Sequence, residues 1–103
     1  MIKNNHEIEV KNRHGSADEL PDGFNSWEDY WNKYMADHNP DKPKLADCKC
    51  QICKIADAEV GGHVKKTGSS MKSYIVPLCR PCNSANSDEP FKVPASLMAP
   101  VNS

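Results

Sequence analysis

Four cysteines arranged as two matched pairs constrain this chain more than any other feature. The stretch CKCQICK contains Cys50-x2-Cys53, and VPLCRPCN contains Cys79-x2-Cys82. A C-x2-C turn brings its two sulfurs toward one point, and a structural zinc ion takes four such ligands in a tetrahedron. The sequence therefore predicts one structural Zn²⁺ bound by Cys50, Cys53, Cys79 and Cys82, which would join two distant turns.

A metal also suits the size and composition of the chain. It has 103 residues, of which 38% are hydrophobic and eight are proline, and small domains with so little apolar material usually need disulfides or a metal. The start, MIKNNHEIEV, lacks the apolar segment of a signal peptide, and no stretch approaches the roughly 20 apolar residues of a membrane helix. We therefore expect a cytoplasmic protein with reduced thiols and no membrane contact.

The odd fifth cysteine leaves other ligand sets open. Cys48 can replace one member of the first pair, giving Cys48/Cys53 or Cys48/Cys50, and His63 can complete a Cys3His site. An iron–sulfur cluster also accepts four thiolates, although two short cysteine turns with a hairpin between them favour zinc. A thiol redox role is less well supported, because the sequence shows no thioredoxin-like βαβ pattern. Otherwise Cys48 is a free thiol.

The chain divides into an N-terminal arm and one domain. Residues 1–25 are polar and rich in turn-forming residues, so we expect a flexible arm that contains a short strand at 8–10 and is attached to the domain at one point at most. Residues 26–103 are expected to form a single zinc-binding domain. Within it, AEVGGHVKKTGSS predicts a strand, a Gly-Gly turn, a second strand and a loop, and KSYIVPL predicts a strand that enters the second cysteine pair.

An amphipathic helix is predicted over 26–38. Ser26 is a favourable N-cap, and Asp29 three residues later gives an acidic variant of the capping box. The large side chains recur at i, i+3, i+4, i+7 and i+8, which places them on one helical face. This face is expected to pack on the metal module, with an exposed surface for a protein partner or for base stacking as the alternative. Its residues are Trp27, Tyr30, Trp31, Tyr34 and Met35.

The cysteine turn, the hairpin carrying GGHV and the ending YIVPLCRPCN resemble the zinc-stabilised branch of the HNH (His-Me finger) endonucleases. The resemblance covers roughly residues 50–86, about a third of the chain. It implies a small α+β fold of the zinc-stabilised treble-clef type, with a knuckle, a β-hairpin, a second knuckle and a short helix. The helix at 26–38 would be an N-terminal addition to that fold.

The resemblance also implies roles for two residues. His63 would be the general base that activates water, and Asn83 would hold a second divalent ion, Mg²⁺ or Mn²⁺. The family usually has an acidic residue just before the histidine, where this chain has Gly62, and one amide oxygen binds a hard dication poorly. Asp57 or Glu59 would have to replace that acid. We therefore expect a structural or binding module without nuclease chemistry, with a metal-dependent nuclease using His63 as the alternative.

The distribution of charge suggests a partner. The formal net charge is -1, but the segment 48–82 contains six basic residues against Asp57 and Glu59, so it is mildly positive even with four metal-bound thiolates. A solvated surface is the simpler interpretation of such lysines. The alternatives are a protein partner at the Trp27/Trp31 helix and a nucleic acid bound through Lys49, Lys54, Lys65, Lys66, Lys72 and Arg80.

Overall fold

The computed structural model describes residues 7–13, 20–38, 44–68, 72–84 and 89–101. Within these residues, five strands form one antiparallel sheet in the order β4-β1-β2-β3-β5. The sheet and two helices make up the small α+β architecture that the sequence predicts. The strands are β1 (Glu7–Asn12), β2 (Val60–Lys66), β3 (Ser73–Leu78), β4 (Phe91–Pro94) and β5 (Ala99–Pro100).

Two α-helices accompany the sheet in the described part of the chain. Helix α1 spans Trp27–His38, and helix α2 is a short segment at Arg80–Ser84. Single 3-10 turns at Leu45–Asp47 and Ala95–Leu97 connect other elements. Neither helix has the length and apolar character needed to cross a membrane.

The two faces of the sheet carry separate apolar clusters. Successive side chains of a strand point to opposite faces, so His63 and its partner Ile75 lie on one face, and Gly62 and its partner Val76 lie on the other. We call the first the helix face, because its cluster comprises Tyr30, Trp31, Met35, Leu45, Cys48, Ala58, Ile75, Ala99 and Val101. We call the second the cysteine face, because its cluster comprises Val10, Cys50, Val64, Val76, Leu78, Cys79, Val93 and Met98.

Helix α1 begins as its sequence predicts and buries the predicted aromatic stripe. The Ser26 hydroxyl accepts a hydrogen bond from the Asp29 N–H (3.1 Å), which satisfies one of the free donors of the first turn. Trp31 is fully buried and its indole N–H donates to the Leu97 carbonyl at 3.0 Å, while the Tyr30 hydroxyl donates to Pro100 at 2.6 Å. The stripe is thus a core surface, and a protein partner on this helix would have to approach its opposite side.

Strand β1 contains the short strand expected at 8–10, but its pairing on both sides differs from the flexible arm expected over 1–25. Residues 7–12 pair with β2 on one side and with β4 on the other, and Val10 is fully buried. The pairing partners are distant in sequence, as in Val10 with Lys66, so the local polarity of the segment gave no sign of them. The rest of the predicted arm includes 1–6 and 14–19, which lie outside the described residues.

Strand β2 runs through Gly61 and Gly62, where the sequence predicts a turn. A Cβ atom on Gly61 would lie 3.0 Å from the Trp27 carbonyl carbon and oxygen, on the helix face. A Cβ atom on Gly62 would lie 2.7 Å from the Asn83 Oδ1 atom and would also collide with the Leu78 side chain. The two glycines therefore allow α1 and α2 to approach the same strand from opposite sides.

Candidate metal centre

The four predicted ligands come together on the cysteine face. The Sγ atoms of Cys50, Cys53, Cys79 and Cys82 all lie within 4.8 Å of one another, and those of Cys53 and Cys79 are 4.0 Å apart. Tetrahedral zinc–thiolate bonds of about 2.3 Å would place the sulfurs about 3.8 Å apart, so the cluster is close to the required size. Among the described residues, no other group of three or more His, Cys, Asp or Glu side chains is placed to hold one ion.

The first cysteine turn is shaped by backbone hydrogen bonds. The Cys50 N–H donates to the Ala56 carbonyl (2.8 Å), and the Lys54 N–H donates back to the Cys50 carbonyl (2.9 Å). Lys54 adopts a left-handed conformation with φ of 64°, which reverses the chain just after Cys53. The Gln51 N–H donates to the Pro77 carbonyl at 3.0 Å, so this turn is anchored to the end of β3.

The second cysteine turn follows directly from β3. Cys79 is the first residue after the strand, and the Asn83 N–H donates to its carbonyl at 2.9 Å, which closes the first turn of α2. The Arg80 N–H donates to the Glu59 Oε1 atom at 2.8 Å, so a carboxylate caps the start of α2. The hairpin thereby carries Cys79 and Cys82 to the same place as the first turn.

Backbone donors favour the thiolate form at the first turn. The N–H groups of Ala56 and Ile55 donate to the Cys53 sulfur and lower its pKa to about 6. Burial disfavours ionisation of Cys50, but the combined N–H donors around it lower its pKa overall. One of those donors, the Ile52 N–H, is 3.4 Å from the Cys50 sulfur. These two sulfurs are therefore prepared as anionic ligands.

The second pair resists ionisation. Burial, together with the neighbouring sulfurs of Cys79 and Cys50, raises the pKa of Cys82 to about 12. The Cys82 N–H favours the Cys79 thiolate, yet burial and the charge of Cys50 raise the pKa of Cys79 overall. Four thiolates so close together repel one another, and a bound dication would remove that penalty. The donor set therefore fits a divalent metal.

Cys48 lies outside this cluster. It packs in the helix-face cluster, is 9% exposed, and its thiol donates to the Lys44 carbonyl at 3.5 Å. The first pair of the grouped cysteines is thus Cys50 and Cys53, and neither Cys48 nor His63 belongs to the four-cysteine group.

The structure does not bring His63 and Asn83 into one site. The His63 ring lies on the helix face, edge-on to Trp27 with 4.6 Å between ring centroids, and its Nε2 atom is buried. Asn83 approaches the opposite face at Gly62. Of the two carboxylates considered as replacements, Asp57 pairs with Lys49 at 2.8 Å, and Glu59 caps α2 as described above. The contacts that the two carboxylates make in the described part of the chain are thus with Lys49 and with the Arg80 N–H.

The predicted basic residues are divided among different environments. Lys49 is engaged by Asp57, and the Lys54 ammonium donates to the Gln51 side chain and the Lys92 carbonyl. Lys66 and Lys72 lie over the ring of Tyr74, with their Nζ atoms 5.3 and 6.0 Å from its centroid. Sequence reasoning missed Tyr74 as a member of this group. The alternation of side chains along β3 predicts which residues share a face with Tyr74. Only the register between β2 and β3 shows that Lys66 lies next to it.

Comparison of the chain with protein-family models, with curated proteins and with solved structures finds no match. The fold and the four-cysteine group therefore define the class of this protein. It is a small α+β protein with four cysteines positioned to bind a metal ion, and this arrangement is consistent with zinc.

Proposed function

We propose that this chain is a zinc-stabilised treble-clef module that serves as a structural or binding domain. The observation that carries the proposal is the convergence of four Sγ atoms from two separate turns within 4.8 Å. The order of elements supports it, because a cysteine turn at 50–53 is followed by the β2–β3 hairpin and then by a second turn that opens α2. Four protein ligands would leave no open coordination position for a substrate.

In this proposal the chain has an arrangement of elements similar to that of the HNH endonucleases but lacks their catalytic chemistry. The resemblance implies two metal ligands, one at position 62 and one at Asn83. These two positions do lie side by side, but position 62 is a glycine and has no side chain to bind a metal. A carboxylate at this position would have to displace Leu78 and Asn83. The Nε2 atom of His63 is buried and the ring lies against Trp27, which argues against activation of a water molecule by this nitrogen.

Metal analysis tests the structural proposal. We expect one zinc ion per chain by mass spectrometry of the purified protein, loss of that zinc in Cys82→Ser, and full retention in Cys48→Ser. The matched pair matters because both substitutions remove one thiol, but only Cys82 belongs to the cluster. A folded protein without metal, or equal loss of zinc in both variants, would contradict the proposal.

A nuclease is the second candidate. It is favoured by the closeness of position 62 to Asn83, because the resemblance implies that a catalytic metal is bound at these two positions. We would test it by plasmid nicking with Mg²⁺ or Mn²⁺, comparing the protein with His63→Ala and with His38→Ala. His38 is an exposed residue at the end of α1. Metal-dependent nicking that is lost only in His63→Ala would establish the enzyme. No nicking above the background of the His63→Ala preparation supports the binding module.

A nucleic acid is the partner that we propose for the binding role. The support is the group formed by Lys66, Lys72 and Tyr74, in which two ammonium groups gathered over one aromatic ring can contact neighbouring phosphates. Contacts to phosphates release counterions, so affinity for a single-stranded oligonucleotide should fall steeply as salt increases. A salt-independent affinity or no binding would instead favour a protein partner, for which the exposed side of α1 is available.

A further inference from the structure

A cavity outside the metal centre has the size and lining of a small-molecule site. It measures about 450 Å³ and lies where the start of α1, the start of β2 and the start of α2 meet. Sites for small ligands in proteins commonly have volumes of this order. Neither the four grouped cysteines nor His63 line it. Its apolar walls are Leu20, Trp27 and Val60, and its charged residues are Glu28, Glu59 and Arg80.

The cavity is lined by basic and acidic residues that form no ion pair with one another among the described residues. In the described part of the chain, neither the Arg80 guanidinium nor the Glu28 carboxylate forms an ion pair or a side-chain hydrogen bond. Among the described residues, the Glu59 carboxylate accepts one hydrogen bond, from the Arg80 backbone N–H to its Oε1 atom at 2.8 Å. Arg80, Glu28 and Glu59 thus line the same cavity, and no ion pair among the described residues joins them.

The apolar side of the cavity is held in place before any ligand binds. The Trp27 ring packs edge-on against Tyr30 (5.2 Å between centroids) and against His63 (4.6 Å). Gly61 and Trp27 both line the cavity, and they are so close that a Cβ atom on Gly61 would lie 3.0 Å from the Trp27 carbonyl. A preformed wall of this kind reduces the ordering cost of binding.

We infer that this cavity binds a small zwitterion, of the class of α-amino acids with an apolar side chain. The planar Arg80 guanidinium would hold the carboxylate through two parallel hydrogen bonds. Glu28 and Glu59 would receive the ammonium group, and the side chain would rest on Trp27 and Leu20. A purely anionic ligand would meet two carboxylates, and a purely cationic one would meet Arg80, so a ligand with both charges fits the lining best.

The experiment is a titration of the zinc-loaded full chain with L-leucine, followed by tryptophan fluorescence and by amide chemical shifts. N-acetyl-L-leucine removes the positive charge of this probe, and L-leucinamide removes the negative one. Each lost charge-assisted contact should weaken binding about tenfold or more. The absence of binding at millimolar L-leucine, or equal binding of either derivative, would overturn the inference.

Two variants locate the site. Arg80→Gln should weaken L-leucine binding about tenfold or more, and Glu28→Gln should do the same. Asp37→Asn is the control, because Asp37 is on α1 but pairs with exposed Lys33 away from the cavity. Unchanged affinity in both cavity variants, or an equal loss in the control, would reject the site.

The variants also separate this inference from the proposed function. Arg80 follows Cys79 directly, so zinc content is measured for every preparation, and Glu28→Gln reports on the cavity from an element that supplies no metal ligand. Zinc binding with no leucine binding would reject only the cavity. Leucine binding by a folded protein that contains no zinc would reject only the metal centre.

Discussion

The two faces of the sheet achieve their stability in different ways. The helix face is covered by α1 and closes over aromatic side chains such as Trp31 and Tyr30, both buried. The buried centre of the cysteine face has no aromatic side chain among the described residues and consists of Val, Leu and Met side chains together with Cys50 and Cys79. Both faces bury apolar surface, but the cysteine face would depend in addition on metal–thiolate bonds. The faces should therefore respond to different perturbations.

Removal of the metal should give the largest effect and act through the cysteine face. Apparent binding free energies of structural zinc are about 10–16 kcal/mol at neutral pH, as large as the net stability of a typical domain. We expect a strong chelator to abolish the cooperative thermal transition seen by circular dichroism, with unfolding of roughly residues 45–90. A melting curve that does not change after complete removal of zinc would show that the stability of the cysteine face does not depend on a metal.

Truncation of Trp31 should be the largest single effect on the helix face. Trp31→Ala removes a fully buried indole and its bond to Leu97, so we expect a loss of about 3–5 kcal/mol in the free energy of unfolding. Chemical denaturation of the zinc-loaded protein measures it. Ile55→Ala is the control, because Ile55 is 81% exposed and should change stability by less than about 0.5 kcal/mol. Similar losses for both would mean that α1 does not form the main core.

Acidification should act through metal binding at the cysteine face. The raised pKa values of Cys79 and Cys82 mean that both thiols hold protons at neutral pH and must release them to bind zinc. Release of two protons makes affinity fall about a hundredfold for each unit of decreasing pH, or about 2.7 kcal/mol. Below the Cys53 pKa of about 6 a third proton should steepen the dependence. Competition with a chromophoric chelator across pH measures it, and a pH-independent affinity would contradict thiolate ligation.

A methyl group at Gly62 tests the close approach of α2 to the cysteine face. Gly62→Ala should reduce the free energy of unfolding by about 1–3 kcal/mol, because the new Cβ atom meets Leu78 and the Asn83 Oδ1 atom. Asn83→Ala should relieve part of that loss when the two substitutions are combined, and a double-mutant cycle in denaturant measures the coupling. Strictly additive effects would show that α2 does not press on this position.

Local patterns in the sequence were sufficient for the features that depend on neighbouring residues. The i, i+3, i+4 stripe and the Ser26 cap predicted α1, and the grouping of its large side chains in one core agrees with that prediction. The spacing of Cys50, Cys53, Cys79 and Cys82 predicted a group that the fold does assemble. The sequence left Cys48 as an alternative ligand, and only the packing of Cys48 in the other cluster separated it from this group.

The amino-acid sequence by itself determined which residues form α1 and which four sulfurs can meet, because both follow from short-range spacing. The tertiary structure alone decided that residues 7–12 pair between β2 and β4, that β2 continues across Gly61 and Gly62, and that His63 and Asn83 lie on opposite faces. Those outcomes depend on pairing and packing between distant segments. No local pattern encodes which backbone will approach a glycine, or toward which layer a strand residue will point.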